Sequence, residues 1–361
     1  MPAPYEPDRI ERLLVVVPNW VGDVVLATPV LAALRGHFAS ARISFLMRGY
    51  VADVVAGAGW HDEQFFWPQQ RGLVRELRVW DLSRRLRQAR FDLAVLLTNS
   101  FRAALVTRLA RVPRRVGYAR DGRGWLLSDK LKPLRRDGVF VPSPVTDAYA
   151  GIAERIGCSV TDRTLRLTIS DEQRRAGTNL LRHYGIGEGE LYAVLNPGAA
   201  FGAAKCWLPE RFAELADRVR QEFQLRSVVV GAPGERDLMR AIADRAAGEL
   251  ICCDEPGTTL GSLKLVISGA ALLVCNDTGP RHYGNAFGVP TVTIFGPTHQ
   301  AWTDTAGARE IKIQEQVACG PCQLRRCPID HRCMTRVSVE RVLGGVRTLL
   351  QEQTHAAPAR T

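Results

Sequence analysis

The feature that most constrains this chain is a series of short, uncharged, β-rich runs, each followed by a helix-compatible stretch. "LLVVV" (13–17), "ISFLM" (43–47), a weaker "QFFW" (64–67), "DLAVLLT" (92–98) and "RRVGY" (114–118) make the first set. Helical patterns fall between them, at 23–38, 71–90 and 100–111. A second set runs from "YAVLNPG" at 192 through "SVVVGAPG" (227–234), "LICC" (250–253), "ALLVCND" (271–277) and "TVTIFGP" (291–297). Helices are expected near 209–223, 235–246, 259–269 and 278–287. Uncharged runs fit strands buried on both faces, and strands alternating with helices form βαβ units on a parallel sheet. The chain reads as α/β, with two Rossmann-like domains joined somewhere in 157–190 and a central cleft as the default active site. Its 361 residues are too many for one comfortable core.

The charge of the chain is uneven. The net charge is +11, and residues 71–136 hold 18 Lys+Arg against 5 Asp+Glu, a balance of +13. A concentrated basic field suits an anionic partner: nucleic acid, an anionic membrane surface or a phosphorylated substrate. Solvated arginines on helix faces are the plain alternative. No aromatic platforms interleave with the arginines, which argues against nucleic acid. The start "MPAPYEPDRIERLL" lacks the basic and apolar regions of a secretory signal, and no run of about 18 apolar residues follows, so a cytoplasmic protein is expected. The tail "QTHAAPART" is expected to be disordered.

Four loops stand at the carboxyl ends of expected strands, where ligands of such sheets bind. In "VVVPNWVGDVVLATP" Asp23 opens a helix; it is either an N-cap or a general base for a hydroxyl nucleophile. In "LNPGAAFGAAKCWLPERF" the glycines admit a ligand and Lys205 offers a point charge for phosphate, if it is not simply exposed. In "VVVGAPGERD" Glu235 is placed for ribose hydroxyls, or for a helix N-terminus. In "CNDTGPRHYGNAFGVP" Asp277 ends a strand, and Thr278 and Gly279 begin a helix whose free N–H groups suit a pyrophosphate. Pro280 fits the first helical turn, and His282 is near enough to face the same ligand. Capping is the rival reading of Asp-Thr-Gly. An aspartic-protease reading would need a second such loop in a β-rich fold.

In this order the loops resemble glycosyltransferase family 9, the bacterial heptosyltransferases. The matching stretches are "PNWVGDVVLATP", "LTNSFRAAL", "RRVGYARDGRGWLLSD", "NPGAAFGAAKCWLPERFAELA", "CNDTGPRHYGNAFGVPTVTIFGPT" and "CGPCQLRRCPIDHRCM", spanning about 13–335. "GAAFGAAKCW" and "LTNSFRAAL" look most like the heptosyltransferase II branch. The resemblance implies a GT-B fold, with an acceptor-binding domain at 1–168, a nucleotide-sugar-binding domain at 169–335, and a C-terminal helix and tail at 336–361 packing back toward the first domain. It implies an ADP-heptose donor, an anionic lipopolysaccharide precursor as acceptor at the inner face of the cytoplasmic membrane, inverting transfer, and no cofactor or catalytic metal. Asp23 matches the base, Lys205 the donor-phosphate lysine, Glu235 the ribose carboxylate, and Asp277, Thr278, Gly279 and His282 the donor loop. Asn99, Ser100 and Arg102 fall where the acceptor should lie. Pro280, Arg281 and Cys206 depart from the family pattern. Another nucleotide-sugar donor, or a non-catalytic binding module, remains an alternative function.

Cys319, Cys322, Cys327 and Cys333 form a C-x2-C-x4-C-x5-C cluster with His331 inside it. Four ligands suit a structural metal, though the second spacing is wide for zinc. Reduced packed thiols and disulfides are the alternatives.

Overall fold

The uncharged runs become the central strands of two parallel sheets. The computed structural model describes residues 5–69, 72–305 and 307–356, with only the backbone for 72–77 and 353–356. The described residues divide into two compact units, one within Met1–Arg166 and Ala301–Ala306, the other within Leu167–Gln300 and Gly307–Thr361.

In unit 1 the elements run β1 (Arg12–Val16), α1 (Val21–His37), β2 (Arg42–Met47), α2 (Ala52–Val55), β3 (Glu63–Phe66), α3 (Gly72–Gln88), β4 (Leu93–Leu96), α4 (Phe101–Leu109), β5 (Arg114–Tyr118) and β6 (Asp129–Leu131). A small hairpin, β7 (Arg135–Arg136) with β8 (Val139–Phe140), and α5 (Val145–Glu154) follow. Unit 2 runs α6 (Asp171–His183), β9 (Tyr192–Asn196), α7 (Pro209–Phe223), β10 (Arg226–Val229), α8 (Arg236–Ala243), β11 (Leu250–Cys252), α9 (Leu260–Ser268), β12 (Leu272–Asn276), α10 (Gly279–Phe287), β13 (Thr291–Phe295), β14 (Glu310–Gln314), α11 (Arg332–Thr335) and α12 (Val339–Ala356). Among the described residues the sheets are ordered β3-β2-β1-β4-β5-β6 and β11-β10-β9-β12-β13-β14, every pairing parallel.

The order reverses between β1 and β4 in one sheet and between β9 and β12 in the other. Within each sheet, the two loops leaving the carboxyl ends of the pair therefore border a crevice of that unit, the usual binding place on an open α/β sheet. The central strands are held by burial: Leu13, Leu14, Val15 and Val16 of β1 are all 0% exposed. Each such side chain contributes about 1.5–3 kcal/mol relative to an exposed one.

Helix α1 is buried along most of its length and carries Pro29 in its interior. Proline cannot donate to the Val25 carbonyl four residues back. The Thr28 hydroxyl donates to that carbonyl instead, at 2.7 Å, so the helix continues.

The apolar pattern does not reveal β6, β14, α5 or α6. Strand β6 is three residues with one buried, and β14 (EIKIQ) alternates charge with isoleucine at a sheet edge. Helix α6 lies inside the stretch expected as the join. The expected disorder of 353–361 does not hold for its start, since α12 runs to Ala356; residues 357–361 lie outside the described residues, as does Arg71 of the basic segment. Helix α12 packs on α7, β13 and β14 of its own unit through Val342, Leu343, Val346 and Leu349. No helix among the described residues is long and apolar enough to cross a membrane.

Candidate functional site

In unit 2 the two crevice loops meet at a buried ion pair. Lys205 ends a 3-10 turn, Ala203–Lys205, in the loop after β9, and its Nζ lies 2.5 Å from Asp277 Oδ2 and 3.1 Å from the Asp277 carbonyl oxygen. Asp277 follows β12 directly and is 6% exposed. The Thr298 hydroxyl donates to Asp277 Oδ2 at 2.7 Å, and Arg281 stands 3.4 Å from Oδ1, one helical turn on. Arg281 is itself 0% exposed and grips Glu310 of β14 through Nε and, at 2.9 Å, through its terminal nitrogen. Thr293 and Asn285 also donate to Glu310.

The result is a buried line of alternating charge: Lys205, Asp277, Arg281, Glu310. Burial alone would raise the Asp277 carboxyl, but Lys205, Arg281 and the Thr298 hydrogen bond outweigh it and hold the group below the usual aspartate value. Burial likewise opposes ionisation of Glu310, and Arg281 overcomes it. Arg281, which departs from the family pattern, is thus the cation shared by two buried carboxylates, supporting Lys205 at Asp277 and leading at Glu310.

Thr278 is the N-cap of α10, with extended backbone and no capping bond from its own side chain. Gly279 and Pro280 form the first turn. His282 is 3% exposed; burial lowers its ring to about 3, so it is neutral at physiological pH, and its Nδ1 makes no hydrogen bond.

Glu235 closes the 3-10 turn Pro233–Glu235 and accepts the Ala232 N–H at 2.8 Å, the behaviour of a helix-start residue. Its carboxyl lies over Gly198, where an added Cβ would come within 2.0 Å. Gly198 is therefore what lets Glu235 reach the loop after β9. Trp207, 1% exposed, ties the same loops together: its backbone N–H donates to the Asn276 side chain at 3.1 Å and its indole N–H to the Val337 carbonyl at 2.9 Å.

In unit 1 the crevice loops are those after β1 and β4. Helix α1 starts at Val21 with Trp20 as its N-cap, so Asp23 is the third helical residue and not the cap. Its charge acts on Tyr50 and on the buried Tyr149, both of which burial already raises above the ordinary tyrosine value. Ser100 caps α4 by accepting the Ala103 N–H at 3.4 Å. Ser100 and Arg102 line a pocket with Asn19, Arg48, Trp67 and Thr98. Asn99 instead turns its carbonyl oxygen to Arg123 at 3.2 Å.

Arg123 is 0% exposed and also donates to the carbonyls of Thr98, Ser100 and, at 2.9 Å, Tyr118. Burial lowers it to about 10, leaving it charged at neutral pH. Gly117 makes room for it, since a Cβ there would stand 3.1 Å from the guanidinium. Sequence reading did not single out Arg123, Arg48, Trp67, Thr298 or Glu310. The four clustered cysteines are all reduced, and among the described residues no three His, Cys, Asp or Glu side chains are grouped to hold a metal ion.

Two Rossmann-like units, each a six-stranded parallel sheet with its crevice loops at the switch point, have the GT-B architecture. The solved structure of a family 9 glycosyltransferase from Veillonella parvula matches over 95% of this chain and 97% of its own, with a TM-score of 0.81 and 21% identity. ADP-heptose lps heptosyltransferase II of E. coli matches with a TM-score of 0.77 and 22% identity, over 95% of this chain and 99% of its own. The family model "Glycosyltransferase family 9 (heptosyltransferase)" matches residues 79–332, and the chain belongs to that family. Lipooligosaccharide heptosyltransferase 2 of Campylobacter jejuni is 24% identical over 94% of this chain and 99% of its own length. Lipopolysaccharide heptosyltransferase 2 of Escherichia coli K12 is 25% identical over 95% and 99%.

Proposed function

We propose that this enzyme transfers a heptose from ADP-L-glycero-D-manno-heptose to the inner core of a lipopolysaccharide precursor, the second heptose onto the first, with inversion. The carrying observation is the buried Lys205–Asp277 pair at the start of α10, in a family 9 chain. A lysine held by a buried carboxylate beside a helix N-terminus suits the diphosphate of a nucleotide sugar. Lys205, Thr278, Gly279 and His282 receive the diphosphate, and Glu235 the ribose. Asp277 serves the donor through Lys205, because its own oxygens are occupied by three partners.

Asp23 takes the proton of the acceptor hydroxyl. The freed oxygen attacks the anomeric carbon opposite the leaving group, the bond to the diphosphate breaks, and ADP departs. Charge growing on the diphosphate is met by the Lys205 ammonium and the first turn of α10. Ser100 and Arg102 hold the acceptor, with Asn99 fixing the loop through Arg123. The basic 71–136 segment suits phosphates and acidic sugars on an anionic inner leaflet, so the enzyme works as a peripheral protein there.

The test is transfer by the purified enzyme to acceptors bearing one heptose or none, with ADP-heptose, GDP-heptose and UDP-sugars as donors. Turnover is expected only with ADP-heptose on the mono-heptosylated acceptor. Turnover with a UDP-sugar, or equal use of both acceptors, would overturn the specificity. Lys205→Met should weaken donor binding far more than acceptor binding.

A further inference from the structure

Lys205 is held in a way that conflicts with the role of receiving a diphosphate. Its ammonium makes two contacts to Asp277, one at 2.5 Å to Oδ2 and one at 3.1 Å to the carbonyl oxygen, and its side chain is 12% exposed. To meet a ligand it must loosen its hold on Oδ2. Asp277 is buried, and a buried carboxylate that loses its cation is strongly destabilising. With this pair alone, every binding event would strand Asp277.

The surroundings of Asp277 remove that conflict. The two cations take different oxygens: Lys205 sits on Oδ2, while Arg281 Nη1 stands 3.4 Å from Oδ1. The Thr298 hydroxyl also donates to Oδ2, at 2.7 Å. When Lys205 leaves, each oxygen therefore keeps a donor. Arg281 is aimed by Glu310, which accepts from its Nε and, at 2.9 Å, from its Nη2. A guanidinium gripped along one edge presents the rest of its planar fork in a fixed direction. The Phe295 ring lies under it, 4.9 Å from Cζ. Arginine does not deprotonate in proteins, so this charge stays in place. Thr293 and Asn285 donate to Glu310 and fix it in turn.

We propose that Arg281, aimed by Glu310, is a positioning residue for donor binding: it carries the charge of Asp277 when the Lys205 ammonium moves from Oδ2 to the diphosphate. This handover rests on the reading of Lys205 as the diphosphate lysine. The charged and titratable groups around Asp277 are Lys205 from the loop after β9, Cys275 of β12, Arg281 and His282 of α10, and, beyond Arg281, Glu310 and Lys312 of β14. Burial pushes the Cys275 thiol up, so it is uncharged, and the His282 ring is neutral. Without Arg281, the departure of Lys205 makes Asp277 take up a proton.

The structure of the unmodified chain with ADP alone tests the movement. Lys205 Nζ is expected on a phosphate oxygen and out of hydrogen-bonding reach of Oδ2, with Arg281 and Thr298 still on Asp277. Bound ADP with Lys205 still on Oδ2 would overturn the handover. Calorimetric titration with ADP in buffers of different ionisation enthalpy tests the charge, because it counts protons taken up on binding. Arg281→Met combined with Glu310→Leu, which removes the two charges as a pair, should bind ADP roughly tenfold more weakly and take up more protons than the parent does. Adding Asp277→Asn should abolish the extra uptake and restore affinity, since no carboxylate is left to strand. A merely structural Arg281 predicts weaker binding with no extra proton and no repair by Asp277→Asn. That result, or unchanged affinity and uptake in the double variant, would overturn the proposal. A parent chain that binds no ADP would overturn the donor reading, and the handover with it.

Discussion

In unit 1 the crevice loop after β4 is fixed by one buried cation reaching neutral acceptors, Arg123 on the carbonyls of Thr98, Ser100 and Tyr118. In unit 2 the corresponding loop after β12 is fixed by four alternating charges, from Lys205 to Glu310. The sheets share a strand order, so the difference lies in the loops. Carbonyls held by a guanidinium leave the loop's own side chains, Ser100 and Arg102, facing their pocket. Alternating buried charges tolerate no change of partner, because each lost cation strands a carboxylate. The first arrangement holds a loop by its backbone, and the second holds it chiefly by its side chains.

The comparison is broken most sharply at Asp23. Asp23→Asn should lower kcat by about 10²–10⁴-fold, the usual worth of a general base, with ADP affinity unchanged. Turnover within a few-fold of the parent in a folded variant would remove unit 1 from the chemistry. Next is Arg281→Met, expected to destabilise unit 2 by about 3–5 kcal/mol in denaturant unfolding, since it leaves Asp277 and Glu310 short of a cation. The double variant Arg281→Met with Glu310→Leu should recover much of that loss. If the single variant costs no more than a surface change, the line of charges is not what holds the loop.

His282 gives a smaller, pH-dependent effect. Its folded pKa of about 3 lies below the ordinary histidine value of 6.5, so the unfolded chain takes the proton first. The stability it contributes is complete above pH 6.5 and is lost as pH falls toward 3; by pH 5 the loss is about 2 kcal/mol relative to pH 8. His282→Gln should flatten that part of the stability–pH curve. An unchanged slope would show that the ring is hydrated or already charged. Smallest is Arg123→Met, expected to raise the acceptor KM roughly tenfold, about 1.4 kcal/mol, and leave donor affinity alone. A matching loss of donor affinity would mean that the two units are not held independently.

The central strands were legible because β1, β4, β9 and β12 are buried on both faces and so read as unbroken apolar runs. Edge strands lack that signature, and β14 hides Glu310 within an alternating pattern. Helix α6 carried a readable signal, Ser170 three residues before Gln173, which forms a capping box. At the site, Lys205 and Asp277 stood out as charges in loops at strand ends. Arg281 was visible but unexplained, because its partner Glu310 lies 29 residues away on another strand. Arg123 was hidden for a similar reason: nothing local to "DGRGW" says that its guanidinium is buried under a loop some 23–25 residues upstream.

Of the seven tryptophans, Trp20, Trp60, Trp67, Trp80, Trp125 and Trp302 belong to unit 1, and Trp207 alone belongs to unit 2. Its indole is out of water, and its backbone is hydrogen-bonded to the residue preceding Asp277. The second unit therefore contains its own optical gauge. Phenylalanine at the six other positions would leave a single blue-shifted emitter, with which unfolding of that unit can be followed by light alone.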